Sequence, residues 1–286
     1  MTTKPVIVGT DGSAEALRAV EWAAKEAERR GASLRIVCTA ELLPRMVGPL
    51  GLDDVGNVAD TITQAAVRAL DAAAKWAADI SPDVLIDTEL LTGPAAVAVA
   101  GCGAGAQLLV VGSRGSSSFA AMVLGSVSRY VAIHAACPAV VVREETMAAH
   151  RQVVVGIRHV SDCDTALTFA FEEAGMRKAS LLAVHAWQSP LAFADIGDDV
   201  PGPPPPTAEA AATVALARLL AAWRIKYPDV IVDQDVVHGH PGRVLAGYSA
   251  RADLVVLGRH SEHGVARVAH AVLNHAHGPV ATVPSA

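Results

Sequence analysis

The chain has 286 residues, of which 52% are hydrophobic, 4% aromatic and 18% charged, with a formal net charge of −6. That length suits two ordinary domains, each able to bury a core, and alanine-rich, aromatic-poor apolar content suits helices packed on a sheet rather than a β-sandwich or a disordered chain. The negative balance, with no block of Lys and Arg to neutralise a row of phosphates, excludes nucleic acid as an expected partner.

The opening "MTTKPVIVGTDGS" places a polar turn just after a short apolar run. It lacks the apolar core and cleavage site of a signal peptide, so a cytoplasmic protein is expected. Strands are expected near 5–9, 33–38, 84–91, 107–112 and 139–143. Between the first two, Leu17, Val20, Ala24 and Ala27 recur at helical spacing and would cover a sheet, leaving Arg18, Glu21, Lys25 and Glu28 to water. The apolar stretch Ala95 to Val111 is interrupted by Gly101, Gly103, Gly105 and Gln107. It reads as a helix followed by a buried strand, not as a membrane span. Cys38, Cys102, Cys137 and Cys163 are scattered, form no C-x-x-C, and read as reduced thiols in apolar segments.

The second half repeats the first. "PVIVGTDGS" at 5–13 is echoed by "VVVGIRHVS" at 153–161, "ALRAVEWAAKEA" at 16–27 by "ALTFAFEEAGMR" at 166–177, and "ASLRIVCTA" by "ASLLAVHAW". Further on, "AQLLVVGSR" is answered by "ADLVVLGRH" and "HAACPAVVV" by "HAHGPVATV", in the same order. The expected organisation is a first domain over 1–143, a linker over 144–150 and a second domain over 151–286. Short apolar strands linked by amphipathic helices predict an α/β fold: two tandem doubly wound parallel five-stranded sheets with helices on both faces. Ligands of such sheets bind beyond the carboxyl ends of the strands, where the strand order reverses.

At that edge of the first copy the strand Leu108 to Val111 runs into Gly112, Ser113, Arg114 and Gly115, and nine residues later into Gly125 and Ser126. "VSRYVAIHA", beginning with Val127, then reads as a helix. Glycines let backbone N–H groups and an anion approach closely, and a helix start favours negative charge. A polyphosphate meets those requirements. The Ser126 hydroxyl is suited to capping the helix or donating to a phosphate oxygen, and Arg114 offers a charged donor above the loop. The spacing G-x2-G-x9-G-[ST] after a strand resembles the ATP-binding signature of the universal stress protein family. "IVGTDGS", "TGP" at 92–94 and "CPAVVV" also resemble that family, and the duplication resembles its tandem members. The resemblance implies ATP held by Thr10, Asp11, Thr39, Gly112, Ser113, Arg114, Gly115, Gly125, Ser126 and Val127. It also implies Mg²⁺ near Asp11, since that hard cation takes carboxylate and phosphate oxygens. Asp11 reads equally as an N-cap of the helix starting near Ser13, and Ser116, Ser117 and Ser118 as a solvated loop.

The second copy departs from the pattern. With Gly112 set on Gly258 and Pro138 on Pro279, its loop is five residues shorter, Ala266 and Arg267 stand where Gly125 and Ser126 would, and Arg158 replaces Asp11. This copy is expected to keep the fold, lose the nucleotide site and serve as a packing partner for the first, as two chains do in a homodimer of one-domain members. Seven histidines, His238, His240, His260, His263, His270, His275 and His277, crowd the last fifty residues without a regular ligand spacing and read as hydrogen-bonded or solvated. "PGPPPPT" at 201–207 reads as a rigid polyproline segment before a helix at 208–223. Together these features suggest an ATP-binding stress-response or signalling module. The alternatives are a slow ATP-hydrolysing or adenylyl-transferring enzyme, for which the P-loop lysine and other nucleotide-chemistry signatures are missing, and a scaffold without nucleotide.

Overall fold

A computed structural model describes residues 4–41, 52–115, 124–143, 149–158, 163–188, 206–259 and 263–285. The chain divides into two compact units, Met1–Glu145 and Thr146–Ala286. The first contains β1 (Val6–Gly9), α1 (Ala14–Arg30), β2 (Leu34–Thr39), α2 (Leu52–Ile80), β3 (Ile86–Leu91), α3 (Ala95–Gly101), β4 (Leu108–Gly112), α4 (Ser126–His134) and β5 (Ala139–Val142). The second contains β6 (Gln152–Gly156), α5 (Asp164–Arg177), β7 (Ser180–Trp187), α6 (Pro206–Lys226), β8 (Val232–His238), α7 (Pro241–Tyr248), β9 (Leu254–Arg259), α8 (His263–His275) and β10 (Val280–Pro284).

Within the first unit the strands lie in the order β3-β2-β1-β4-β5, and within the second β8-β7-β6-β9-β10, each neighbouring pair parallel. The order turns back between β1 and β4, and again between β6 and β9. These are the positions where the carboxyl ends of adjacent strands leave a crevice. Val6, Val8, Leu34, Ile36, Leu108, Leu109 and Val140 are wholly buried, as a sheet covered on both faces requires. Strand β3, outermost in its unit, differs: Asp87, Thr88 and Glu89 are exposed, and Arg35 on β2 reaches Asp87 at 3.1 Å and Glu89 at 3.2 Å. Charges along an outer strand discourage pairing with a foreign one.

Helix α1 shows how the local sequence sets its ends. The Ser13 hydroxyl accepts from the Ala16 N–H at 3.2 Å, and Gly31 closes the helix in the left-handed region at φ 57°. Ala16, Ala19, Val20, Ala23, Ala24 and Ala27 form the buried stripe. The helical spacing misses Glu26, which is fully buried and held by Arg30 at 2.7 Å and Arg29 at 3.1 Å; Arg30 also donates to Gln107. In the second unit Glu173, also fully buried, pairs with Arg177 in the same i,i+4 relation. Gly9 and Gly156, and the helix C-caps Gly31 and Lys178, are both 147 positions apart, so Glu26 and Glu173 are equivalent. The sequence pairing of Ala16 with Ala166 therefore slips by three residues toward the helix end. The reason is an N-terminal trimming of α5 to 14 residues from the 17 of α1, with a correspondingly longer connection before it.

All four cysteines stand outside disulfides; Cys38, Cys137 and Cys163 are buried and Cys102 is partly exposed. Among the described residues no helix is long and apolar enough to cross a membrane, and no group of histidines, cysteines and carboxylates is arranged to hold a metal ion. Helix α6 begins at Pro206, inside the proline run, and ends at Lys226, longer than the expected 208–223. The prolines of 201–205 lie outside the described residues.

Candidate functional site

The crevice between β1 and β4 gathers most of the residues singled out from the sequence. Strand β1 delivers Thr10, whose backbone N–H bonds to Val37 at 2.9 Å and whose hydroxyl accepts from the Gly12 N–H at 3.2 Å. The next residue, Asp11, is exposed, and its Oδ1 accepts from the Ser13 N–H at 3.0 Å. The carboxylate thus fixes the turn into α1 without being its cap; that role belongs to Ser13, which corrects the reading of Asp11 as an N-cap. Gly12 makes the turn with φ 78°, a conformation that suits glycine. Thr39 ends β2, partly exposed, on the same carboxyl edge. Next to it the Cys38 thiol is pushed above its usual range, first by burial and also by the negative charge of Asp11, which places that charge within electrostatic reach of the β2 end.

From β4, Gly112 and Ser113 are buried while Arg114 and Gly115 are half-buried. Two glycines here have distinct physical reasons. A Cβ on Gly112 would stand 2.9 Å from the Glu15 carbonyl oxygen, so this position lets the α1 backbone lie against the strand end. One on Gly115 would stand 2.6 Å from Asp11 Oδ2. The structure therefore brings Asp11 and Gly115 together across the crevice. Ser116, Ser117 and Ser118 lie outside the described residues.

The start of α4 is pinned to the end of β4: the Gly125 N–H donates to the Ser113 carbonyl at 2.9 Å, and the Ser128 hydroxyl to the Gly112 carbonyl at 2.6 Å. Gly125 is the N-cap of α4 in extended backbone (φ −62°, ψ 154°) and makes no side-chain cap bond. Ser126 is consequently the first helical residue, not the cap its hydroxyl suggested. With no capping side chain, the N–H groups of Ser126, Val127 and Ser128 have no acceptor within the helix, and the helix dipole is positive at that end. Such an end suits an anion.

Two contributors were not found in the sequence. Ser128, buried and clamping the loop to the strand, sits inside a helical pattern where a serine is unremarkable. Glu41 caps α3 by accepting from the Ala95 N–H at 3.0 Å, across a sequence distance that no local pattern reveals.

The equivalent place in the second unit is built differently. Helix α8 has 13 residues against the nine of α4, although His134 and His275 both end their helices at matching positions. The added turn lies at the N-terminus. With it, the connection from strand to helix falls from thirteen residues, 113–125, to three, 260–262, well beyond the five-residue deletion visible in sequence. Arg267, at the place of Ser126, lies one turn inside α8, where its N–H is engaged by the helix itself. Arg158, exposed, stands where Asp11 stands in the first unit. Of the seven histidines, His134's counterpart His275 ends α8, His238 ends β8, His240 is the N-cap of α7, and the N–H of His277 donates to the Ser249 hydroxyl at 2.8 Å. His260 lies outside the described residues.

A duplicated, doubly wound parallel sheet with glycines at the switch point of its first unit defines a class of α/β proteins, and comparison with known proteins gives the class its family. The model of the universal stress protein family matches residues 2–143 and again 149–284, so the chain belongs to that family. A universal stress protein of Mycolicibacterium smegmatis is 32% identical over 268 residues, covering 91% of this chain and 88% of the relative. One of Mycobacterium tuberculosis is 32% identical over 286 residues, covering 96% and 95%. Among solved structures, a universal stress protein from Archaeoglobus fulgidus superposes with a TM-score of 0.71 at 16% identity, over 99% of this chain and 97% of that one. That likeness confirms the α/β fold. Membership of the family supports a stress-response role.

Proposed function

We propose that the first unit, residues 1–143, binds one ATP per chain in the β1–β4 crevice, and that the nucleotide regulates conformation or a partner surface without rapid turnover. The single observation that carries this reading is the uncapped start of α4. Its N-cap, Gly125, offers no side chain to the N–H groups of Ser126, Val127 and Ser128, and its own N–H bonds Ser113, two residues before the Gly115 that Asp11 approaches. The triphosphate would lie along Gly112 to Gly115 and the α4 N-terminus, with Arg114 as a charged donor. The adenosine would lie toward Thr10 and Thr39. Asp11 would take Mg²⁺ through the phosphates, its Oδ2 lying beside Gly115, where an added Cβ would meet it at 2.6 Å. Asp11 is the one carboxylate this reading sets at the phosphates, which favours binding over efficient hydrolysis.

In the second unit the helix extension engages the donors and Arg158 replaces the carboxylate, so that unit would take no triphosphate. Titration calorimetry of nucleotide-free protein with Mg·ATP should then give one site per chain. Gly125→Glu is the clean probe, because a Cβ at Gly125 would meet nothing nearer than 3.4 Å and the fold should survive. Placing a carboxylate at the helix start should weaken ATP by well over tenfold, about 1.4 kcal/mol or more. Unchanged affinity in the folded variant, or two equal sites in the native chain, would overturn the assignment.

A further inference from the structure

We infer that the second unit carries a ligand site of its own, built for a small amphipathic carboxylate: an apolar body with one anionic end. A cavity of about 550 Å³ opens beyond the carboxyl ends of β6, β7 and β9, within the ordinary size range of small-molecule sites. Its inner wall is aliphatic, formed by Ile157, Val184, Leu245, Leu257 and Val268. The polar side chains on it include Arg158, Arg267, His185 and His240, with Gln188 beside them. No carboxylate is among the described residues that line it. An apolar floor under a basic rim selects an anion with a hydrophobic body and rejects a cation of the same shape.

Two further observations point to an occupant. The indole N–H of Trp187, whose residue lines the cavity, is buried and has no acceptor among the described residues; an unmade hydrogen bond of that kind costs about 1–3 kcal/mol unless something fills it. His185 is held in place because its Nδ1 bonds the Ile157 carbonyl at 2.9 Å, which makes Nδ1 the donor and turns Nε2 to other partners. The site is also poor for a polyphosphate. The turn added to α8 engages backbone donors within the helix, and the arginines left on the cavity are Arg158 and Arg267. This site is separate from the nucleotide site proposed in the first unit and does not depend on it.

The test uses the full chain, stripped of bound small molecules, titrated with dodecanoate, dodecylamine and AMP by calorimetry and tryptophan fluorescence. Dodecanoate should bind once per chain with a dissociation constant in the micromolar range, on the order of −8 kcal/mol, and at least tenfold tighter than dodecylamine. The double variant Arg158→Ala/Arg267→Ala should lose at least tenfold, and Trp187→Phe should weaken binding severalfold and abolish the fluorescence change. Saturating ATP and the Gly125→Glu substitution should leave dodecanoate binding unaltered, which separates this site from the first unit's. The inference is overturned if dodecanoate shows no binding at about 1 mM. Equal binding of the amine, an unaffected double arginine variant, or competition by AMP at the same site would overturn it too.

Discussion

The connections β4–α4 and β9–α8 are the same piece of the fold in two units, and they differ in where backbone hydrogen-bonding capacity is used. In the first unit thirteen residues separate strand from helix and α4 starts without a capping side chain; in the second three residues suffice and the helix begins a turn earlier. The aligned sequences show the loss of Gly125 and Ser126 as substitutions. In three dimensions the larger change is that helix has grown into the space of the loop. A helix N-terminus is an anion site only while its first N–H groups are unsatisfied, and one further turn satisfies the former ones. Changing the boundary of one helix thus changes which backbone donors the helix itself engages without disturbing the sheet beneath it.

What the units share gives the largest expected effect. Glu26 and Glu173 are equivalent, fully buried and paired with arginines. Removing a buried carboxylate leaves its arginine uncompensated. Glu26→Ala and Glu173→Ala should each lower stability by about 4 kcal/mol, read from the urea midpoint of the unit concerned. A loss under about 1 kcal/mol in either would mean that the pair is solvated and not shared architecture. Next comes Gly112→Ala, where the new methyl meets the Glu15 backbone at 2.9 Å and cannot be relieved by a side-chain rotation. The expected loss is about 3 kcal/mol of stability. Because the fold suffers, weakened ATP binding in that variant would say nothing about phosphate contacts.

Gly115→Val tests the difference between the units more directly. Its side chain would displace Asp11 Oδ2, so ATP affinity should fall more than tenfold, above about 1.4 kcal/mol, with the unfolding midpoint little changed; native affinity would separate Asp11 from the ligand. The smallest effect is at the C-caps. Gly31 and Lys178 occupy the same left-handed position, at φ 57° and 51°, which glycine adopts without the clash a side chain brings. Gly31→Ala should destabilise the first unit by about 1 kcal/mol, and Lys178→Gly should stabilise the second by a similar amount. Equal signs in the two midpoints would show that the caps are not equivalent.

The doubled sheet was legible because alternating short apolar strands and amphipathic helices carry their own period, and all five strands of the first unit lie within about two residues of their expected places. The crevice was legible through its glycines, which the chain must place where backbones meet. Glu26 was not, since a carboxylate on a helix reads as solvent-facing until Arg30, one turn away, is seen to reach it at 2.7 Å. Nor was the growth of α8: deletion and helix extension look alike in a linear alignment, and only hydrogen-bond registration separates them. The cavity of the second unit was hidden for a related reason. Arg158 and Arg267 each registered as the loss of a nucleotide-site residue, and 109 positions of sequence separate two side chains that line one space.

The uncapped start of α4 has a consequence for how the two units exchange their amide protons with solvent. Around Arg267 the N–H groups are sheltered by the turn before them, and their exchange requires α8 to fray or the unit to open. Those of Ser126, Val127 and Ser128 have no preceding helical turn to shelter them. The same stretch of fold therefore exchanges differently in its two copies, one by the internal opening of a helix and the other, on the proposed function, with the residence of the bound nucleotide.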